Sequence, residues 1–174
     1  ESCGIFLIPD QFPADLVLEA DYSDKSKYSF DPVRLRIESR PGGGLTGHVA
    51  KLGKITNLHG PALWDCEFRR RDQPPQHLIS GSCYSFLSIP LKDRKDRLLG
   101  VLNAHNKKEG SNSVPRAELH FDAADEAIAR LLANKIVLIL ESHRIFSAFR
   151  DIMGAIYSAR TLEEILNEIV SKAM

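Results

Sequence analysis

Apolar and polar positions alternate in short runs over the first two thirds of the chain, then settle into a helical period. CGIFLIPD is an apolar run closed by Pro9 and Asp10, and LVLEADY alternates before the polar DYSDKSK; together they predict a β-hairpin. VRLRIESR alternates over Val33, Leu35 and Ile37 and then meets PGGG, a turn handing over to a short helix, LTGHVAKLG, that Gly53 ends. A brief strand, KITNL, follows. PALWDCEFRRRDQPPQHL reads as irregular or weakly helical, starting after Gly60 and stopping before Pro74 and Pro75. CYSFLSIPL and RLLGVLNAH predict two central strands, and the charges of KDRKD between them suit a solvated hairpin turn.

From Asp122 onward there is no Pro and one Gly, Gly154, while apolar residues recur at helical spacing. Leu138, Ser142, Ile145, Phe149, Ile152, Ile156 and Ala159 step by four and three, the seam of a coiled coil. SARTLEEILNEIV then offers a new capping pattern, with Thr161 at the N-cap and Glu164 three residues on. The pattern predicts a domain over 1–140, a linker helix over 141–160 and the start of a further helix or domain over 161–174.

Composition narrows the chemistry. With 174 residues, 43% of them hydrophobic, the chain can bury one good core and still carry an extended appendage. Twenty-three basic residues cancel 23 acidic ones, so no overall field draws a nucleic acid or a membrane surface. IVLIL is far short of the roughly 20 residues a bilayer span needs. Cys3, Cys66 and Cys83 are odd in number and lack CxxC spacing, which argues against a disulfide framework or zinc cage and suits a reducing cytoplasm. The chain starts directly in a strand pattern, as a piece of a longer protein would. The six His show no HExxH or i, i+4 pairing, and no GxSxG is present, so neither a metal site nor a nucleophile is predicted.

Gly42, Gly44 and Gly47 satisfy GxGxxG between a strand and a helix. A dinucleotide fold needs alternating strands and helices in a parallel sheet, whereas strand follows strand here, so the glycines are expected to form a tight turn seating a helix N-terminus. Arg69, Arg70 and Arg71 could hold a phosphate, or form a solvated face beside Asp72.

PGGGLTGHVAKLGKITNL, SFLSIPLKDRKDRLLGVLNAHNKK and FDAADEAIARLLANKI, in that order, resemble a GAF domain over about residues 1–142. Asn106, Lys107, Phe121, Asp125 and Glu126 match the NK, gap, F, three residues, DE motif of the GAF domains in cyclic-nucleotide phosphodiesterases and some bacterial adenylyl cyclases. The resemblance implies an α+β fold: an antiparallel sheet of about six strands, helices on one face, a small-molecule pocket on the other, and here a long C-terminal helix. Two departures stand out. The helix that normally precedes the first strand is missing, and SGSCYSF matches the phosphodiesterase-type segment loosely.

By that resemblance the pocket is roofed by residues 57–85, and Trp64, Phe68, Arg69, Ser80, Ser82 and Ser85 are the candidate ligand-binding residues. The implied function is regulatory rather than enzymatic: a sensor that binds a small molecule, with cAMP or cGMP the leading ligand. It would form a homodimer through its C-terminal helix and act on an output domain in the same chain. The alternative is a ligand-free dimerisation module. Bilin-binding members attach the pigment through a Cys often followed by His, which none of these Cys has. Members that reduce free methionine sulfoxide with Cys pairs are freestanding, unlike a chain with a long linker helix. Within the motif, Lys107 and Asp125 are expected to pair across the loop between them, with Phe121 packed in the core, as a clasp rather than a ligand contact.

Overall fold

The computed structural model describes residues 2–23, 34–68, 83–110, 118–157 and 162–173. They form two compact units, Glu1–Asn134 and Lys135–Met174. In the first unit, strands β1 (Ser2–Leu7), β2 (Asp15–Ser23), β3 (Arg34–Arg36), β4 (Thr56–His59), β5 (Ser85–Lys92) and β6 (Leu98–His105) build one sheet in the order β3-β2-β1-β6-β5-β4. All five pairings are antiparallel, as the expected α+β architecture requires. The two longest apolar runs, β5 and β6, lie inside the sheet and are almost wholly buried.

The β5–β6 turn is fixed by Asp93. Its Oδ1 accepts the backbone N–H groups of Lys95 and Arg97, both at 2.9 Å, while Oδ2 accepts Arg97 Nε at 2.7 Å. The charged KDRKD segment is therefore a turn organised around one carboxylate.

Helix α1 (Leu45–Leu52) ends at Gly53, in the left-handed conformation at φ 62°, as the sequence predicts. Helix α2 (Gly60–Trp64) is a single short helix where the sequence suggested irregular or weakly helical chain; Pro61 starts it, being pre-set for a first helical turn. The predicted third strand is shorter than its alternating pattern. The GxGxxG glycines do form a turn against this layer. Gly42 and Gly44 have φ of 74° and 109°, and their N–H groups donate to Glu67 O at 2.7 Å and Phe68 O at 2.8 Å. Gly47 lets α1 lie against β3, since a Cβ there would stand 2.2 Å from Arg36 O.

Phe6, Leu16, Val49, Ala50, Leu63, Cys83, Phe86 and Val101 form the core between the sheet and α1–α2. Helix α3 (Ala123–Tyr157) begins where the Asp122 pattern predicts and is the longest element. Its residues from 135 on, with α4 (Leu162–Ala173), make up the second unit. The proposed N-cap Thr161 lies outside the described residues. No described helix is long and apolar enough to cross a membrane.

Candidate functional site

Cross-strand register sets the chemistry of the α1-facing side. Gly4, Asn103, Ser88 and Thr56 form one row over β1, β6, β5 and β4. Asn103 and Ser88 are 1% and 0% exposed, so their polar groups must be satisfied internally. Ser88 Oγ donates to Asn103 Oδ1 at 2.6 Å, and Asn103 Nδ2 donates to Thr46 Oγ1 on α1 at 2.9 Å. A neutral relay thus runs from the centre of the sheet to the first turn of the covering helix, set among Phe6, Val49, Phe86 and Val101.

One end of this layer carries Cys83, whose Sγ lies 3.8 Å from His105 Nδ1, while the His105 ring lies 5.1 Å from that of Phe86. The Trp64 indole N–H donates to Cys83 O at 3.0 Å, tying α2 to the chain entering β5. At the other end His48, on α1, stacks on Phe68 with ring centroids 3.6 Å apart and has Nδ1 2.8 Å from Ser39 Oγ. Burial lowers the pKa of His48, and the nearby charge of Glu67 pulls the other way.

Of the sequence-predicted ligand residues, Trp64 and Phe68 border this layer. Ser85 is fully buried, and its Oγ accepts the Lys107 backbone N–H at 2.9 Å. Arg69, Ser80 and Ser82 lie outside the described residues. Thr46, Ser88, Asn103 and His48 were not singled out from sequence. The available signal was a polar residue interrupting each apolar run: Ser88 in SFLSIPL and Asn103 in LLGVLNA.

The second cluster is the motif itself. Asn106 adopts the left-handed conformation at φ 57°, which Asn tolerates better than most residues. Its N–H donates to Ser85 O at 2.9 Å and its Oδ1 accepts Tyr84 N–H at 2.8 Å, locking the end of β6 to the start of β5. Lys107 Nζ then donates to both Asp125 Oδ2 and Asp122 Oδ2, the latter at 3.0 Å. The expected Lys107–Asp125 pair is present, and Asp122 joins it. Phe121 is buried, and its carbonyl accepts Asn57 Nδ2 at 2.9 Å. Glu126 pairs with Arg130 one turn along α3, at 2.5 Å, and not with Lys107.

These hydrogen bonds shift the titration of the cluster. The Asp125 backbone N–H, the Lys107 ammonium and the Ala124 N–H hold the Asp122 carboxyl down at about 2. Asp125 and Asp122 raise Lys107. No group of three or more His, Cys, Asp or Glu placed to hold a metal occurs among the described residues.

A family model, the GAF domain, matches residues 1–140, the stretch that holds the sheet, the relay and the clasp. The chain belongs to the GAF family. GAF domains are in general regulatory, ligand-binding modules. The solved GAF domain of a phosphoenolpyruvate-protein phosphotransferase from Coxiella burnetii is 24% identical, with 84% of this chain and 75% of that one covered at a TM-score of 0.60. The GAF domain of a two-component sensor histidine kinase from Bacillus halodurans is 16% identical over 84% and 85% of the chains, at 0.58. A fragment of a methyl-accepting chemotaxis protein is 14% identical over 84% and 80%, at 0.63. At these identities the likeness is one of fold. Among curated proteins nothing matches the chain.

Proposed function

We propose that this GAF domain is a sensor that holds a small polar molecule between its sheet and α1–α2 and passes occupancy into α3. The observation that carries the reading is the Ser88–Asn103–Thr46 relay, neutral hydrogen-bonding groups buried in an apolar layer beneath a short helix. Such a layer with a few polar groups suits the flat ring of a small polar molecule, with hydrogen-bonding groups at the ring edge. A purine cyclic nucleotide, cAMP or cGMP, has such a ring in its base, with its ribose and anionic phosphate left to polar groups at the border. Trp64 and Phe68 stand at the border for stacking, and Arg69, Ser80 and Ser82 are the proposed contacts to its phosphate.

Occupancy can act on α3 only if the ligand binds two states of the domain unequally. The proposed output is a parallel homodimer through the linker helix, feeding an output domain of the same chain; catalysis, where the whole protein has it, would reside there. Leu138, Ile145, Phe149 and Ile156 of the seam are 51%, 72%, 59% and 45% exposed, which supports a partner helix on that face. The same exposure favours the second reading, a dimerisation module with a side-chain-filled interior.

Native mass spectrometry of the purified chain, with thermal shift against cAMP, cGMP and a metabolite panel, separates the two. The sensor reading expects a retained mass or a shift that Asn103→Leu abolishes. No retained mass and no shift with any compound would leave the dimerisation reading. Sedimentation as a monomer at micromolar concentration would remove the linker mechanism from both.

A further inference from the structure

Edge strand β4 meets the start of α3 at two points. Asn57 Nδ2 donates to Phe121 O at 2.9 Å. The rings of His59 and His120 stack with centroids 4.5 Å apart and planes inclined by 21°. Asn57 and His59 are two positions apart on one strand, so both face the same side of the sheet. His59 is also the residue from which α2 starts. One short strand therefore carries α2 on its end and grips the approach to α3 with its side chains.

Histidine changes charge over about pH 5 to 8, where most side chains do not. Asp122 is held at about 2 and Lys107 is raised; Asp125 and Glu118 are carboxylates, and Ser85, opposite His59 on β5, is neutral. The stack brings two imidazoles together at this corner. A first proton is tolerated, because a cation is attracted to the π face of a neutral ring. A second proton places like charges about 4.5 Å apart, which in water corresponds to roughly a fivefold change in an equilibrium constant.

The other contact is incompletely satisfied. Asn57 Oδ1 is buried and finds no donor among the described residues. A buried acceptor without a donor raises the energy of the closed arrangement, and opening would hydrate it.

We propose that the His59–His120 stack is a proton-sensitive joint. It is closed while at most one ring is charged and opened by the second proton, which frees the Phe121–Asp122 segment and loosens the first turn of α3. The joint operates whether or not the domain holds a ligand.

Amide hydrogen exchange of Ala124, Asp125 and Glu126 in the whole chain tests it. Protection factors, which remove the intrinsic pH dependence, should fall about fivefold between pH 7.5 and 5 in the wild type. They should stay flat in His120→Phe, which keeps a ring on the stack and cannot gain charge. His59→Phe should behave the same way and serves if His120→Phe loses helical signal at neutral pH. Constant wild-type protection, or an equal fall in the Phe variants, overturns the proposal.

Discussion

Asp122 and Asp125 cap one another at the head of α3. Asp122 Oδ1 accepts the backbone N–H of Asp125 at 3.0 Å, and Asp125 Oδ2 accepts that of Asp122 at 2.8 Å. This is a capping box built from two aspartates. The Ala124 N–H also reaches Asp122 Oδ1 at 2.8 Å, so three helix-end donors are satisfied. Two carboxylates so close would repel, and the Lys107 ammonium between them offsets that charge. The end of β6 is thereby bonded to the first turn of α3.

The first prediction follows from Asp122. Its folded-state pKa of about 2 lies below the ordinary 3.8, so its contribution to stability is fully present above 3.8 and is lost as the pH falls through about 2. Lys107 works in the opposite sense: its raised value makes its contribution present below the ordinary 10.5 and lost as pH rises through the folded-state value. In His120→Phe, whose ring stack cannot take up a second proton, chemical-shift titration of the Ala124 and Asp125 amides should show the first turn of α3 unchanged from pH 7 to 4 and opening between 4 and 2. In Asp122→Asn the acid step should vanish. An acid step that survives in that variant would place the titrating group elsewhere.

A second prediction concerns the clasp. The side chains of Lys107 and Asp125 are 26% and 29% exposed, so water screens part of their attraction and the cost of breaking the pair is below that of a fully buried one. A double-mutant cycle with Lys107→Met and Asp125→Asn, followed by urea unfolding, should give a coupling of about 0.5–1 kcal/mol. Added salt should reduce it. Because Asp125→Asn retains an acceptor oxygen for the Asp122 N–H, the cycle isolates the charge interaction from the cap. A coupling near zero would make the pair incidental.

These two cases show what the sequence could convey. Lys107, Phe121 and Asp125 were legible because a strand end and a helix start each carry local signals, and the spacing of the motif tied them together. The hairpin of β1 and β2, the hairpin at Asp93 and the stop of α1 at Gly53 were legible for the same reason: alternation, turn charge and glycine act over a few residues. Asn103, Ser88 and Thr46 were not, because their relay depends on the register of β5 against β6 and on α1 lying over both. The bonds from Asn57 to Phe121 and from Trp64 to Cys83 join residues 64 and 19 positions apart. Nothing local to either residue announces its partner.

The close approaches of glycine give a third prediction. A Cβ on Gly47 would stand 2.2 Å from Arg36 O, and one on Gly100 would stand 2.1 Å from Phe6 O. Both obstacles are backbone, which cannot swing aside as a side chain can. Gly47→Ala must lift α1 off β3, and Gly100→Ala must part β6 from β1; each is expected to destabilise by about 2–4 kcal/mol. Gly154→Ala is the control: a Cβ there meets nothing within 4 Å, and in a helix alanine should be neutral or stabilising by up to about 1 kcal/mol. Equal midpoints for all three variants in urea would show that the approaches can relax.

The relay supplies the last prediction. In Asn103→Leu, Ser88 loses its acceptor and Thr46 loses a donor, and Ser88 is fully buried. Leaving a buried hydroxyl unpaired should cost about 1–3 kcal/mol. Ser88→Ala removes a hydroxyl but leaves Asn103 bonded to Thr46, and should cost about 1 kcal/mol. The double variant Ser88→Ala, Asn103→Leu replaces both strand-borne partners with apolar groups. It should be less destabilised than the sum of the singles, since no strand hydroxyl remains unsatisfied. Retention of full stability by Asn103→Leu alone would mean that the hydroxyls find other partners and that the relay does not hold α1 to the sheet.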